Sequence, residues 1–189
     1  MVVAEEQSAG RGRFGRNWLS PRGGFYATFI LDDGPILSIR AGLAVVRALG
    51  GFGIDATLKW PNDVLVEEKK LGGILVDGVG DLALIGIGIN LIDTPLSTAT
   101  SAHVLGVSID RNALVRDAWR ELHVVEPVVQ ALDAYRQWSA TIGRAVRIAL
   151  TGSDPPIEGI ARGVDEDGRL IVETADELRV ISTGTCQHL

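Results

Sequence analysis

Apolar residues recur along this chain with two different periods, and each period predicts its own kind of element. In "GFYATFIL", residues 24–31, aromatic and β-branched side chains crowd into a mostly apolar run, which predicts a central strand. In the stretch after it, Ile36, Ile39, Leu43, Val46 and Leu49 return every three or four positions before a Gly-Gly pair. That spacing predicts an amphipathic helix with a glycine stop. "ATLKWPNDVLV", residues 56–66, reads as strand, turn, strand, because Pro-Asn-Asp supplies the turn chemistry. "GGILVDGVGDLALIGIGINL", residues 72–91, places two apolar runs around a turn at 78–81 and predicts a hairpin. From Asp110, a suitable N-cap, a helical period extends to Trp138 and is interrupted by Pro127.

Beyond residue 140 the pattern shortens. Brief β-rich runs separated by SDPP, DEDG and ADE predict a small barrel that begins near Thr141. The chain therefore divides into residues 1–140, an α+β unit with a sheet backed by helices, and residues 141–189, a small β unit. At the front, "MVVAEEQ" predicts a short strand that runs directly into a loop.

Composition narrows the class of function. The chain holds one cysteine, Cys186, which excludes an internal disulfide and any multi-cysteine metal site. No apolar run reaches membrane-spanning length and no signal-peptide pattern follows Met1, so a soluble cytoplasmic protein away from membranes is expected. Charge is more informative. "AGRGRFGRNWLSPRGG", residues 9–24, packs four arginines and five glycines into sixteen positions without an acid. The whole chain carries −6, so without those four arginines the remainder carries −10. A nucleic-acid binder would be basic over a whole face, whereas this positive charge is local and suits a targeted anion.

Glycines at 10, 12 and 15 alternate with arginines at 11, 13 and 16. Glycine lets backbone fold close to a ligand, and a guanidinium grips phosphate or carboxylate with two parallel donors. Trp18 offers a flat surface for a nucleobase, while the residue pattern of a P-loop is absent. A like-charged, glycine-rich loop with this pattern is expected to be loose without ligand and to close over it. In "KWPND", residues 59–63, Lys59 sits at a strand end before a rigid turn, where a point cation can meet developing negative charge. "KLGGIL" from Lys70 permits close backbone approach, and "GIGIN" ends a strand at Asn90. Taken singly, these also fit a solvated loop, an exposed turn lysine and ordinary strand ends. His103, His123 and His188 have no ligand spacing and read as structural or surface residues. Cys186 reads as inert, Trp60, Trp119 and Trp138 as packing, and residues 165–168 as a solvated turn.

In this order, "EEQSAGRGRFGRNWLSPRGG", "LKWPNDVLV", "KKLGGILVD" and "IGIGIN", followed by a small β domain, resemble biotin–protein ligases over essentially the whole chain. The resemblance implies a mixed sheet backed by helices, in the manner of class II synthetases, with a C-terminal SH3-like barrel. It implies activation of biotin by ATP to biotinyl-5′-adenylate, with Mg²⁺ sharing the phosphate charge, and transfer to one lysine of a biotin carboxyl carrier protein. It assigns Gln7, Gly10, Arg11, Gly12, Arg13 and Lys59 to biotin, and Arg13, Arg16, Trp18, Lys70 and Asn90 to ATP. Arg13 and Lys59 would be catalytic, and no residues would hold a metal by themselves. A homodimer is implied, and the lack of a DNA-binding helix-turn-helix suggests the enzyme-only form.

Family members carry a further N-terminal segment with a Ser-Thr-Asn stretch that walls the biotin pocket, and no such stretch occurs in this sequence. Free biotin is therefore expected to bind weakly and nucleotide measurably, with slow biotinylation. Two other readings stay open. One is a lipoate or octanoate ligase on the same catalytic fold, and the other is a non-catalytic nucleotide-binding paralogue.

Overall fold

A computed structural model describes residues 1–150, 152 and 155–189. The N-terminal unit is built on a six-stranded sheet ordered β1–β2–β6–β5–β4–β3. Its strands are β1 (Val2–Ala4), β2 (Phe25–Asp32), β3 (Thr57–Lys59), β4 (Asp63–Val66), β5 (Lys69–Val79) and β6 (Leu82–Ile89). Every ladder between these strands is antiparallel. Parallel pairing enters through isolated bridges, Leu58 with Ser139 and Lys70 with Ala99. The expected hairpin is β5–β6, closed by Gly80, whose φ of 63° is one that glycine adopts without strain.

One face of this sheet is apolar and covered. Phe25, Ala27 and Phe29 of β2 and Ile85, Ile87 and Ile89 of β6 are buried on it. The helices α1 (Leu37–Gly50), α2 (Arg111–Leu122) and α3 (Val128–Trp138) lie against that face. In α1, the three- and four-residue spacing buries Ile39, Leu43, Val46 and Leu49. Asp110 caps α2, its carboxylate accepting from the Ala113 N–H at 2.8 Å. Pro127 is the N-cap of α3, so the interruption expected there is a break between two helices. Trp119 of α2 packs across Phe29, with ring centroids 6.1 Å apart.

The C-terminal unit is a second antiparallel sheet, ordered β10–β9–β8–β7–β11. It comprises β7 (Ala145–Ala149), β8 (Ile157–Val164), β9 (Leu170–Glu173), β10 (Leu178–Ile181) and β11 (Thr185–His188). The sheet is open: β10 and β11 are its edges among the described residues. Of the turns expected between its strands, SDPP includes Ser153 and Asp154, which lie outside the described residues.

The two sheets meet through specific contacts. The backbone N–H of Trp60 donates to Thr141 Oγ1 at 3.0 Å, and its indole donates to the Gly168 carbonyl at 3.2 Å. A Cβ at Gly168 would lie 2.8 Å from Ile39 Cδ1, so this turn rests directly on α1. Arg144 forms a two-pronged pair with Glu68, and Thr141 and His188 join the same seam. No helix among the described residues is long and apolar enough to cross a membrane.

Trp60 is 3% exposed and belongs to the core on both sides of the seam. Trp60→Ala should lower unfolding stability by about 3–5 kcal/mol, the range for truncating a buried aromatic. Trp60→Phe should retain most of that, losing chiefly one hydrogen bond of about 1 kcal/mol. Urea unfolding checks both. Equal small losses would place Trp60 outside the core.

Candidate functional site

The face of the six-stranded sheet turned away from the helices is open, and its floor has no side chains at its centre. In "IGIGI" the isoleucines point to the helices and Gly86 and Gly88 point to the open side. Gly73 of β5 is registered opposite Gly88. Trp18 lies on this pair. A Cβ at Gly88 would fall 2.6 Å from its Nε1, and one at Gly73 would fall 3.4 Å from its Cζ3. The glycine pair in "KLGGIL" therefore has two distinct tasks. Gly73 makes room for the indole, and Gly72 admits the Gly88 carbonyl and Ile89, which a Cβ would meet at 2.7 and 2.4 Å.

The arginine loop arches over this floor and is hydrogen-bonded to itself. Gly12 N–H donates to the Arg16 carbonyl at 2.7 Å, Trp18 N–H to the Gly10 carbonyl at 2.9 Å, and Gln7 N–H to the Ser20 carbonyl at 3.0 Å. A 3₁₀ turn, Arg13–Gly15, forms the tip, with Phe14 at a φ of 57°. Gly10 is buried, and a Cβ there would collide with Ser20 Oγ and the Trp18 carbonyl at 2.5 Å each. A small ladder of three backbone hydrogen bonds therefore ties the two arms of the loop together.

Loop and floor enclose a cleft of about 480 Å³. Gln7, Arg11, Gly12, Arg13, Arg16, Trp18 and Lys70 all line it, so most of the residues singled out in the sequence converge there. Three do not. Gly10 is a buried hinge of the loop, not a lining residue. Asn90 faces an adjoining cavity of about 660 Å³, which shares Gln7 and Tyr26 with the cleft. Its amide donates to the Thr100 carbonyl at 3.1 Å and so ties residues 98–102 to the sheet. That larger cavity holds Glu6 and Asp93 and no cation among the described residues, whereas the smaller cleft gathers Arg11, Arg13, Arg16 and Lys70 with Asp63 and Asp77. Lys59, half-buried at the end of β3, is registered opposite Asp63, and its charge acts on Cys186 and His188 across the seam.

The electrostatics follow from the partners. Arg22 pairs with Glu5 and Glu6 and is neutralised locally. Arg11, Arg13 and Arg16 have no acid in ion-pair contact among the described residues. Arg13 donates instead to Thr183 Oγ1 at 2.6 Å and to the Gly184 carbonyl at 3.4 Å, both neutral acceptors. Burial, then the like charge of Arg16, draw its pKa below the ordinary arginine value. Lys70 Nζ pairs with Asp63 at 2.5 Å and lies 5.3 Å from the centre of the Trp18 ring.

The remaining candidates have local partners. His103 bonds Asp93, His123 bonds the Trp119 carbonyl, and His188 bonds Thr141. Burial pushes the Cys186 thiol up to about 11, which leaves it a weak nucleophile. Among the described residues, no group of three or more histidine, cysteine or acidic side chains could hold a metal.

Sequence reasoning missed Asp63, Asn62, the Gly73–Gly88 floor and Thr183. Asp63 and Asn62 were read as turn formers, yet both line the cleft, and the Asn62 amide donates to the Ile74 carbonyl at 2.7 Å. The alternation in "IGIGI" was a usable signal for the floor. Nothing local marks Thr183, which meets Arg13 from 170 positions away.

Residues 1–91 match the Biotin/lipoate A/B protein ligase family, and residues 141–189 match the Biotin protein ligase C terminal domain. The biotin–[acetyl-CoA-carboxylase] ligase of Mycobacterium tuberculosis is 36% identical over 215 residues, covering 100% of this chain and 79% of that protein. The bifunctional ligase/repressor BirA of Escherichia coli is 34% identical over 196 residues, which is 90% of this chain and 60% of that longer protein. Among solved structures, the Aquifex aeolicus biotin protein ligase in complex with biotin and ATP superposes with a TM-score of 0.79 at 28% identity, covering 99% of this chain and 87% of that one. The Leishmania major enzyme in complex with biotinyl-5-AMP gives 0.69 at 28% identity, covering 99% and 86%.

The floor makes a direct prediction. A valine at Gly88 cannot coexist with the indole where it lies, so Gly88→Val should expel Trp18 from the sheet. The buried indole N–H should then exchange with solvent about tenfold faster or more by NMR. An unchanged exchange rate would show that the indole does not depend on that glycine.

Proposed function

Because this chain belongs to the biotin/lipoate A/B protein ligase family, we infer that it is a biotin protein ligase, joining biotin to protein at the expense of ATP. The observation that carries this reading is the set of guanidinium groups without acid partners among the described residues at the rim of a glycine-floored cleft, with Lys70 beside them. The match of residues 141–189 to a biotin protein ligase domain favours biotin over lipoate or octanoate. Residues 1–140 act as the catalytic unit, and residues 141–189 cover it from the side of Arg13.

The chemistry brings two anions together. A carboxylate oxygen of biotin attacks the α-phosphorus of ATP, the bond to the bridging oxygen breaks, and pyrophosphate departs with the electron pair. Fixed cations remove the repulsion and stabilise charge in the transition state. Arg13 and Lys59 take this role, with Arg16 and Lys70 on the nucleotide phosphates. Trp18, seated on the glycine floor, presents an aromatic face to the flat ring of the nucleobase. Gln7 and the backbone from Gly10 to Gly12 serve the biotin side, and Asn90 holds the wall behind it. Mg²⁺ bound with the nucleotide would share the phosphate charge, and Asp63 and Asp77 are the carboxylates lining the cleft that would face it.

In the second step the ε-amine of a lysine attacks the acyl carbon of the mixed anhydride. AMP leaves and the amine proton goes to solvent. The lysine donor is a biotin carboxyl carrier protein, and the cytoplasm is the expected setting. A homodimer is the expected assembly, to which the exposed edge strand β1 offers a pairing surface.

Exchange of labelled pyrophosphate into ATP tests the reading. Exchange should depend on biotin and should not be supported by lipoate or octanoate; exchange driven by either of those would overturn it. Lys59→Ala should slow biotin-dependent exchange about a hundred- to a thousandfold, the scale of losing one preorganised donor. An unaltered rate would remove Lys59 from the reaction. Arg13→Ala should release adenylate into solution, seen as biotin on bystander proteins.

A further inference from the structure

The groups that hold Arg13 are neutral and leave its charge uncompensated, and they come from the far end of the chain. Its Nη2 donates to Thr183 Oγ1 at 2.6 Å and its Nη1 to the Gly184 carbonyl at 3.4 Å. Both acceptors sit in the turn between β10 and β11. This turn is firmly seated. Gly184 is buried, and a Cβ there would fall 2.7 Å from Ile148 Cγ2 and 3.0 Å from the Ala149 carbonyl. β11 continues from it as the partner of β7. The Arg13 guanidinium is therefore referenced to the core of the C-terminal sheet.

The chemistry of the acceptors matters. An aspartate in place of Thr183 would hold the guanidinium more strongly and cancel its charge. A hydroxyl and a carbonyl orient it and leave the charge for a ligand. Among the described residues, no further acceptor takes the other guanidinium donors, and the group lies 4.8 Å from the centre of the Phe14 ring.

We propose that Thr183 is a positioning residue for Arg13, through which the C-terminal sheet sets how long an acyl-adenylate is retained in the cleft. The proposal rests on the biotin-ligase reading above. Without the hydroxyl, the guanidinium keeps its charge and loses its fixed direction, and the adenylate phosphate loses a preorganised partner. Retention then falls while adenylate formation, which also draws on Lys59, changes less.

The test uses the full chain, with adenylate made in place from biotin and ATP labelled at the α-phosphate. Its release is followed in a single turnover, beside biotin-dependent pyrophosphate exchange and thermal unfolding. Thr183→Val should release adenylate about tenfold faster than wild type, the scale of one hydrogen bond to a charged group. Thr183→Ala, which removes the same hydroxyl with a smaller side chain, should give the same increase. Thr183→Ser, which restores the hydroxyl, should stay within about twofold of wild type. In the double variant with Arg13→Ala, Thr183→Val should add nothing, because both changes remove one interaction. Wild-type release from Thr183→Val and Thr183→Ala would overturn the proposal, and so would multiplicative effects in the double variant. Absence of biotin-dependent exchange in the wild-type chain would instead sink the ligase reading, and the proposal with it.

Discussion

An indole can lie against a β-sheet backbone only where the facing residues have no side chains, and Gly73 and Gly88 supply that opening side by side. The position of the arginine loop depends on it. Trp18 is part of the small ladder that closes the loop, so fixing its ring fixes residues 10–18 above the cleft. The seat has an energetic counterweight: the indole N–H is buried without a partner among the described residues. An unpaired buried donor costs about 1–3 kcal/mol. Contact of the ring with the floor and with Lys70 must exceed that cost for the loop to rest where it does.

Once the loop is fixed, charge decides what the cleft can hold. Arg22 is neutralised by Glu5 and Glu6, and Lys70 is shared with Asp63. Arg13 is held by Thr183 and Gly184 with no acid in ion-pair contact among the described residues, and Arg11 and Arg16 line the same cleft. In an acidic chain, the cleft thus gathers four cations against the two carboxylates of Asp63 and Asp77 among its described lining residues. Such a region attracts an anion strongly at short range and leaves the rest of the surface indifferent to polyanions. The C-terminal sheet contributes here directly, because the neutral acceptors that orient Arg13 are its own.

Much of this was legible in the sequence, for identifiable reasons. The helices followed from three- and four-residue spacing that buried Ile39, Leu43 and Val46, and from a capping aspartate at 110. The hairpin followed from Gly80, where the turn needs a positive φ. The arginine loop stood out by composition, and its residues do line one cleft. What escaped depended on pairing across distance. The hairpin turn at Gly80 already sets Gly73 opposite Gly88, whereas no local pattern could bring Thr183 to Arg13. The assignment of Asn90 to the nucleotide came from the resemblance; its amide also donates to the backbone at residue 100, a contact that only the return of the chain creates. The small C-terminal unit was expected as a barrel, and strand spacing alone could not reveal that its described edges remain open.

Calorimetry with a non-hydrolysable biotinyl-adenylate analogue is the most direct measurement of the central claim, that unbalanced guanidinium charge over a glycine floor holds an acyl-adenylate. Two analogues should be compared, alike except that one carries an anionic phosphate isostere and the other a neutral linker. The account predicts that the anionic analogue binds about a hundredfold more tightly, equivalent to about 2.7 kcal/mol, and that added salt narrows the difference. Equal affinities at low salt would contradict it.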